Sequence, residues 1–317
     1  MKVLITDKMA DEALKVLKDA GYNVTYDEMD GATLLKEIPN YDALMVRSRT
    51  KVTTDIVKAG SQGNLKVIGR AGVGVDNIDI ETAGKNGIKV VNSPTGSTES
   101  VAELSFAHML ALSRFVPRAD SSLRKGEWIK KQLKGSELKG KTLGLIGSGN
   151  ISQYAANIAN AFEMNVLVYS PHCTDDKAKK MGAKRVDFED LLKKSDFVSL
   201  HIPHTKDSHY LINKKTISLM KPTAYLINCS RGGIVEEDAL YDALNNKKIA
   251  GASIDVFEKE PVDPDNKLLK FENVVLTPHL GANTKEAQIR AGTICADQII
   301  MVLSGKEPKF WVNKKFM

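Results

Sequence analysis

Short runs rich in Val, Ile and Leu alternate along this chain with stretches whose apolar residues recur at three- and four-residue intervals. The alternation predicts repeated strand–helix units, and strands joined through helices lie parallel. In the first third, 2–6, 43–47, 66–69 and 89–92 read as strands. Between the first two, 10–20 reads as an amphipathic helix with Ala13, Leu14 and Leu17 on one face and Gly21 as its stop. Asn92-Ser93-Pro94-Thr95-Gly96 breaks the pattern. Beyond it, Ala102, Phe106, Met109, Leu110 and Leu112 predict one long helix over 97–125, kinked at Pro117. A second series starts at Lys141, with strands expected at 142–146, 166–169, 197–201, 224–228, 252–256 and 274–276. A last helix over 285–303 carries Ile289, Ile294, Ile299 and Val302, which need a surface to cover.

At 317 residues the chain has room for two domains, each with its own core. Its 42% hydrophobic and 26% charged residues are those of a soluble globular protein, and no apolar run reaches the ~20 residues of a membrane span. The opening MKVLITD runs straight into a strand, without the apolar core of a signal peptide. Three scattered cysteines (Cys173, Cys229, Cys295) predict neither a disulfide framework nor a metal centre. A cytoplasmic location is therefore expected. The net charge of +6 raises the question of nucleic acid, but the lysines are dispersed and aromatics make up only 6%, which leaves no stacking platform. An anionic small substrate and cofactor suit the same charge.

Gly147-Ser148-Gly149 follows one predicted strand directly and precedes a segment with Ile151, Ala155, Ile158, Ala159 and Phe162 at helical spacing. Strand, glycine turn and helix start together form a dinucleotide cradle: Gly147 permits the tight turn, and Gly149 lets the backbone approach a pyrophosphate. Asn150 and Ile151 would add the first helical amides. Ser152 replaces the third glycine of the fingerprint. At the end of the next strand Ser170 stands where an acidic residue would bond a ribose 2′-hydroxyl, so NAD is the first expectation and NADP the second. Gly69-Arg70-Ala71-Gly72-Val73-Gly74 also follows a strand, but its glycine order is wrong for that role. It reads instead as a loop whose amides, beside Arg70, receive an anion.

Open α/β sheets bind ligands at the carboxyl ends of their strands. Asn228-Cys229-Ser230-Arg231-Gly232-Gly233 puts an arginine at such an end, where its fork matches a carboxylate; a surface arginine capping a turn is the alternative. Asp255 and Glu260 leave the next strand, with Glu258 expected in solvent. His279 leaves the last. A carboxylate partner orients an imidazole and favours its protonated form. Among the other histidines, His108 reads as structural and His172 and His209 as loop residues, while His201 and His204 flank Pro203 near the expected cofactor. The chain has no Gly-x-Ser-x-Gly elbow, no His-Glu-x-x-His zinc motif and no Walker loop.

The segments VRSRTKVT (46–53), KVIGRAGVGVDNID (66–79), NSPTGSTESVAEL (92–104), GEWIKKQLKGSELKGKTLGLIGSGNI (126–151), NCSRGGIVEEDAL (228–240), IDVFEKEP (254–261) and TPHLGANTKEAQ (277–288) closely resemble the D-2-hydroxyacid dehydrogenase family over essentially the whole chain. The resemblance implies an α/β fold of two doubly wound parallel-sheet domains, a flavodoxin-like substrate domain (1–95 with 287–317) and a Rossmann cofactor domain (96–286), with a cleft between them that closes by hinge motion near 94–97 and 285–286. It implies that Arg231 holds the substrate carboxylate and polarises the C2 oxygen, that His279 exchanges the C2 hydroxyl proton, and that Glu260 keeps His279 basic. Asp255 would contact the nicotinamide carboxamide, with Pro203, Cys229 and Ser230 also along the cofactor. The Val73 and Gly74 amides would meet the substrate carboxylate. Arg47 and Ser48, followed by Arg49, resemble a phosphate-binding segment. Ser97 would lie nearby, and Trp128 and Lys130 resemble a segment that a neighbouring subunit inserts. The implied protein is a homodimeric NAD(P)-dependent oxidoreductase of a phosphorylated 2-hydroxy or 2-keto acid, with no metal, nucleic acid or membrane partner. Because the sequence ends at Met317, the regulatory module of longer relatives is expected to be missing. Two other functions share these motifs, a glyoxylate or hydroxypyruvate reductase and a dinucleotide-sensing corepressor-like binding protein.

Overall fold

Two series of strand–helix units form the molecule, and the computed structural model describes residues 1–317. The first series contains β1 (Lys2–Ile5), α1 (Asp11–Asp19), β2 (Asn23–Tyr26), α2 (Gly31–Glu37) and β3 (Ala43–Val46). It continues with α3 (Thr54–Ser61), β4 (Val67–Arg70), α4 (Ile80–Lys85) and β5 (Lys89–Asn92). Then come α5 (Thr98–Ser113), α6 (Val116–Arg124), β6 (Thr142–Ile146), α7 (Asn150–Ala161), β7 (Asn165–Tyr169), α8 (Asp175–Lys180) and β8 (Lys184–Arg185). The chain goes on through α9 (Phe188–Lys194), β9 (Phe197–Leu200), α10 (Lys214–Ile217), β10 (Tyr225–Asn228), α11 (Glu237–Asn245), β11 (Gly251–Ile254), β12 (Val274–Leu276) and α12 (Lys285–Leu303). The chain divides into two compact units, Met1–Thr98 with Ala282–Met317, and Glu99–Gly281.

The first unit holds a five-stranded sheet in the order β2-β1-β3-β4-β5, and every pairing is parallel. Side chains alternate across it. Leu4, Leu44, Val46, Ile68 and Val90 enter one core, and Val3, Ile5, Ala43, Met45, Val67 and Val91 enter the other. The second core is closed by α12, whose buried stripe is Ala287, Ala291, Cys295, Ile299 and Leu303. Of the four apolar residues expected to anchor that helix, Ile299 alone is fully buried, and Ile289, Ile294 and Val302 are half-buried. Small residues take the contact because the helix lies close to β4: a Cβ on Gly69 would come within 2.7 Å of both Cys295 Sγ and Ile299 Cδ1.

The second unit has a seven-stranded parallel sheet ordered β12-β11-β10-β9-β6-β7-β8. Strand order reverses between β6 and β9, and in the first sheet between β1 and β3, so each sheet has a switch point where ligand crevices form. Two expectations need correction. The helix foreseen over 97–125 is two helices, broken at Phe115, which takes a left-handed φ of 55°. Pro117 lacks the amide that would continue the ladder, and it opens α6 instead of kinking one rod. Strands β2 and β8 were not anticipated. Both lie at sheet edges and carry polar residues that solvate one face.

Candidate active site

Three strand exits of the second unit meet at its carboxyl edge. After β10, Asn228 is buried and takes the Ser230 amide (3.1 Å) and hydroxyl (2.9 Å) on its side-chain oxygen, while its amide nitrogen donates to the Arg231 carbonyl at 3.0 Å. This fixes the turn that presents Arg231, whose Nη1 donates to the Ser230 carbonyl at 2.7 Å. After β11, Glu260 accepts the Phe257 amide at 3.1 Å on one oxygen and faces His279 Nδ1 at 2.8 Å with the other. After β12, His279 stands in a left-handed conformation, φ 55°, with its side chain 48% exposed.

A carboxylate only accepts, so Nδ1 of His279 carries the proton on the Glu260 side and Nε2 is left facing outward as donor or acceptor. Burial of Glu260 opposes its charge. The hydrogen bond and charge of His279, the Phe257 amide and the Arg231 guanidinium outweigh that burial and hold the carboxyl below its ordinary range. The result is a cation, a carboxylate and an outward imidazole nitrogen on one edge. Such an edge can hold an anionic carbonyl compound and exchange a proton with it.

The glycine turn has the shape a dinucleotide needs. Gly147 has φ 112°, and a Cβ there would lie 2.4 Å from the His201 carbonyl. Gly149 caps α7 with extended backbone, no side chain bonds the first helical amides, and a Cβ on Gly149 would meet nothing within 4 Å. Asn150 is exposed and Ile151 half-buried, so the helix start opens to solvent. Ser152 is fully buried beneath it. Ser170 is half-buried just past β7, and Pro203 is exposed after β9. Cys229 is buried and its thiol is pushed up to about 12, chiefly by burial and further by Asp255, so it stays a thiol. Asp255, expected beside the nicotinamide, is fully buried and directs both oxygens at the Thr277–Gly281 loop.

Glu258 is exposed, as expected, and takes part in a reciprocal pair. It accepts the Glu237 amide at 3.0 Å and donates its own amide to Glu237 at 2.7 Å, and it also receives the Tyr210 hydroxyl at 3.1 Å.

The remaining candidates from the sequence lie apart from that edge in the chain. Arg47 and Ser48 follow β3 at the switch point of the first sheet, and Arg47 Nη1 donates to the Lys8 carbonyl at 3.2 Å. Asp7 and Asn77, which the sequence did not flag, build this loop. Buried Asp7 accepts the Arg47 amide at 2.5 Å and the Thr50 hydroxyl at 2.5 Å, and Asn77 donates to the Arg47 and Thr50 carbonyls. Arg49 is drawn to Asp7 at 3.3 Å and Glu28 at 3.8 Å. Arg70 ends β4, and Val73 and Gly74 lie on the loop after it. Gly72 there has φ 151° and leaves room for the Arg70 guanidinium, and Asn92 donates to the Val73 carbonyl at 2.6 Å. Ser97 is buried. Trp128 is 80% exposed beside exposed Lys130.

Residues 106–281 match the family described as D-isomer specific 2-hydroxyacid dehydrogenase, NAD binding domain. The chain is 48% identical to D-3-phosphoglycerate dehydrogenase of Methanocaldococcus jannaschii over 99% of its own length and 59% of that protein's. It thus spans a little over half the length of the phosphoglycerate dehydrogenases it matches. Hydroxypyruvate reductase of Thermotoga maritima is 45% identical over 95% of this chain and 98% of that one. Among solved structures, an acyclic imino acid reductase in complex with NADPH and D-Arg superposes with a TM-score of 0.87 at 32% identity, covering 98% of this chain and 100% of that chain. No helix is long and apolar enough to cross a membrane.

Proposed function

The chain belongs to the D-isomer specific 2-hydroxyacid dehydrogenases, and from that premise we propose that it interconverts a D-2-hydroxy acid and its 2-keto acid, with D-3-phosphoglycerate and 3-phosphohydroxypyruvate as the pair and serine synthesis as the setting. The observation that carries the reading is the 2.8 Å contact between His279 Nδ1 and Glu260, with Arg231 acting on the same carboxylate. A nicotinamide dinucleotide, when bound, would supply the hydride acceptor for oxidation at C2 and the hydride donor for reduction. Everything else is done by side chains. Arg231 holds the substrate carboxylate in its fork and draws charge onto the C2 oxygen. His279 Nε2 takes the hydroxyl proton during oxidation and gives it back during reduction, while Glu260 keeps the ring turned and stabilises its charged form.

Gly147, Gly149, Asn150 and Ile151 would hold the pyrophosphate, Ser170 the ribose, and Pro203, Cys229, Ser230 and Asp255 the remaining cofactor wall. NAD is the proposed cofactor. Ser170 supplies no charge to repel a 2′-phosphate, so NADP is the second choice, and the NADPH complex of the imino acid reductase supports keeping it. For the substrate, Arg70 with the Val73 and Gly74 amides would bind carboxylate, and Arg47, Ser48, Ser97 and Lys130 phosphate. Trp128 and Lys130 would come from the partner of a homodimer.

A second reading, hydroxypyruvate or glyoxylate reduction, is favoured by the full-length match to the Thermotoga reductase and by Arg49, whose charge is already met by Asp7 and Glu28. Initial rates with phosphohydroxypyruvate, hydroxypyruvate and glyoxylate, each against NADH and NADPH, decide between them. The proposal expects phosphohydroxypyruvate with NADH to give the highest kcat/KM. If phosphate adds nothing, the second reading replaces it.

A further inference from the structure

Behind the loop that carries His279 lies a buried polar chain that runs from Ser253 through His108 and Thr277 to Asp255. His108 sits on α5 and is 3% exposed. Its Nε2 is 3.3 Å from the Thr277 hydroxyl, and its Nδ1 is 2.5 Å from the Ser253 hydroxyl and 3.5 Å from Cys229 Sγ. The Thr277 hydroxyl in turn donates to Asp255 Oδ1 at 2.5 Å. The direction of the chain follows from its end. A carboxylate only accepts, so Thr277 gives its single proton to Asp255 and can only accept from His108. His108 must then carry its proton on Nε2 and accept from Ser253 on Nδ1. Burial lowers the pKa of His108 against the pull of Asp255, which keeps the ring neutral and the chain one-directional.

Asp255 is where the chain meets the active edge. Its carboxylate also accepts the Leu280 amide at 2.7 Å and the Gly281 amide at 2.9 Å, and its carbonyl accepts the His279 amide at 2.8 Å. The loop is folded around this one residue. A non-glycine residue at φ 55°, as His279 is, persists only where its surroundings fix it.

We propose that His108 is a positioning residue: its Nε2–H locks the Thr277 hydroxyl onto Asp255, and through Asp255 it sets the backbone from which His279 reaches Glu260. This rests on the reading of His279 as the proton-exchanging group. A purely space-filling histidine would need no particular tautomer. The chain described here needs one.

Three substitutions separate the roles. In His108→Gln the side-chain amide donates from about the place of Nε2. In His108→Asn an oxygen accepts from Ser253 at about the place of Nδ1, but nothing reaches Thr277. His108→Leu fills the space alone. With the keto acid the wild type turns over, the proposal expects kcat about tenfold lower in the Asn and Leu proteins and within about threefold of wild type in the Gln protein, with the dissociation constant for NADH unchanged in all three. Equal kcat in the Gln and Asn proteins would overturn it, and so would a loss that appears only in cofactor affinity. Nitrogen-15 NMR of the histidine rings is the second readout and needs neither turnover nor a variant that folds. A buried neutral ring protonated on Nε2, and coupled to the Thr277 hydroxyl, is expected; protonation on Nδ1 would overturn the proposal. A wild type that turns over no 2-keto acid, with the Nε2 tautomer present, would sink the dehydrogenase reading and leave the chain's direction standing.

Discussion

The carboxyl edges of the two sheets start from the same materials, an acid beside a cation at a strand exit, and use them in opposite ways. In the first unit Asp7 is buried, and its oxygens are met by the Arg47 and Thr50 amides, the Thr50 hydroxyl and the Arg49 side chain. That carboxylate builds a loop. In the second unit Glu260 is 38% exposed and has one oxygen on the Phe257 amide and the other on a ring that reaches solvent. That carboxylate orients a partly exposed imidazole. Exposure of the acid, more than its identity, separates scaffold from chemistry.

The contrast is broken most directly at the ring. His279→Ala should lower kcat about a thousandfold while the NADH dissociation constant stays within twofold, since general acid–base groups contribute roughly a hundred- to ten-thousandfold. Steady-state rates beside a fluorescence titration check both. Next in size is Glu260→Gln, which keeps the shape and removes the charge; kcat should fall about a hundredfold. The sign for the wild type follows from its lowered pKa. The Glu260–His279 pairing is complete above 4.5, the ordinary glutamate value, and is lost only as pH falls through the lower folded value. Carbon-13 titration of the Glu260 carboxyl should therefore show its midpoint below 4.5.

At the first edge the same logic separates two neighbouring arginines. Arg47→Ala should lower kcat/KM for the phosphorylated substrate about tenfold or more, the scale of one charged hydrogen bond, and leave hydroxypyruvate unchanged. Equal losses on both substrates would remove the phosphate assignment. Arg49→Ala, whose charge Asp7 and Glu28 already meet, should discriminate between the substrates much less.

The smallest effect concerns a histidine that does not meet solvent as His279 does. Burial lowers the pKa of His201 from 6.5 to about 4. The folded state keeps it neutral, so its contribution is full above 6.5 and is lost as pH falls from 6.5 toward 4. His201→Gln should flatten the fall in unfolding free energy between pH 7 and pH 5, read from urea titrations, by about 2 kcal/mol at most.

The sequence announced elements whose signal is local. β6, the Gly147-Ser148-Gly149 turn and α7 were legible because an apolar run, two glycines and a helical stripe follow one another without interruption. Edge strands were not. β2 reads Asn-Val-Thr-Tyr and buries no residue fully, so it lacks the apolar mark of a parallel strand. The candidate trio could be named from strand exits, but the 2.8 Å contact is a property of folding, as is the capture of Arg49 by residues far along the chain. His108 shows the limit most clearly. Its partners Cys229, Ser253 and Thr277 lie more than 100 positions away, so a polar residue on an apolar helix face gave no sign of what it would meet.

Proton exchange at His279 is the centre of the account, and the pH dependence of kcat/KM measured in both directions tests it. Oxidation requires an unprotonated Nε2 and should rise with pH. Reduction requires it protonated and should fall across the same interval, with one shared midpoint. Both limbs should vanish in His279→Asn. Limbs that survive in that variant, or that rise together in the two directions, would contradict the assignment.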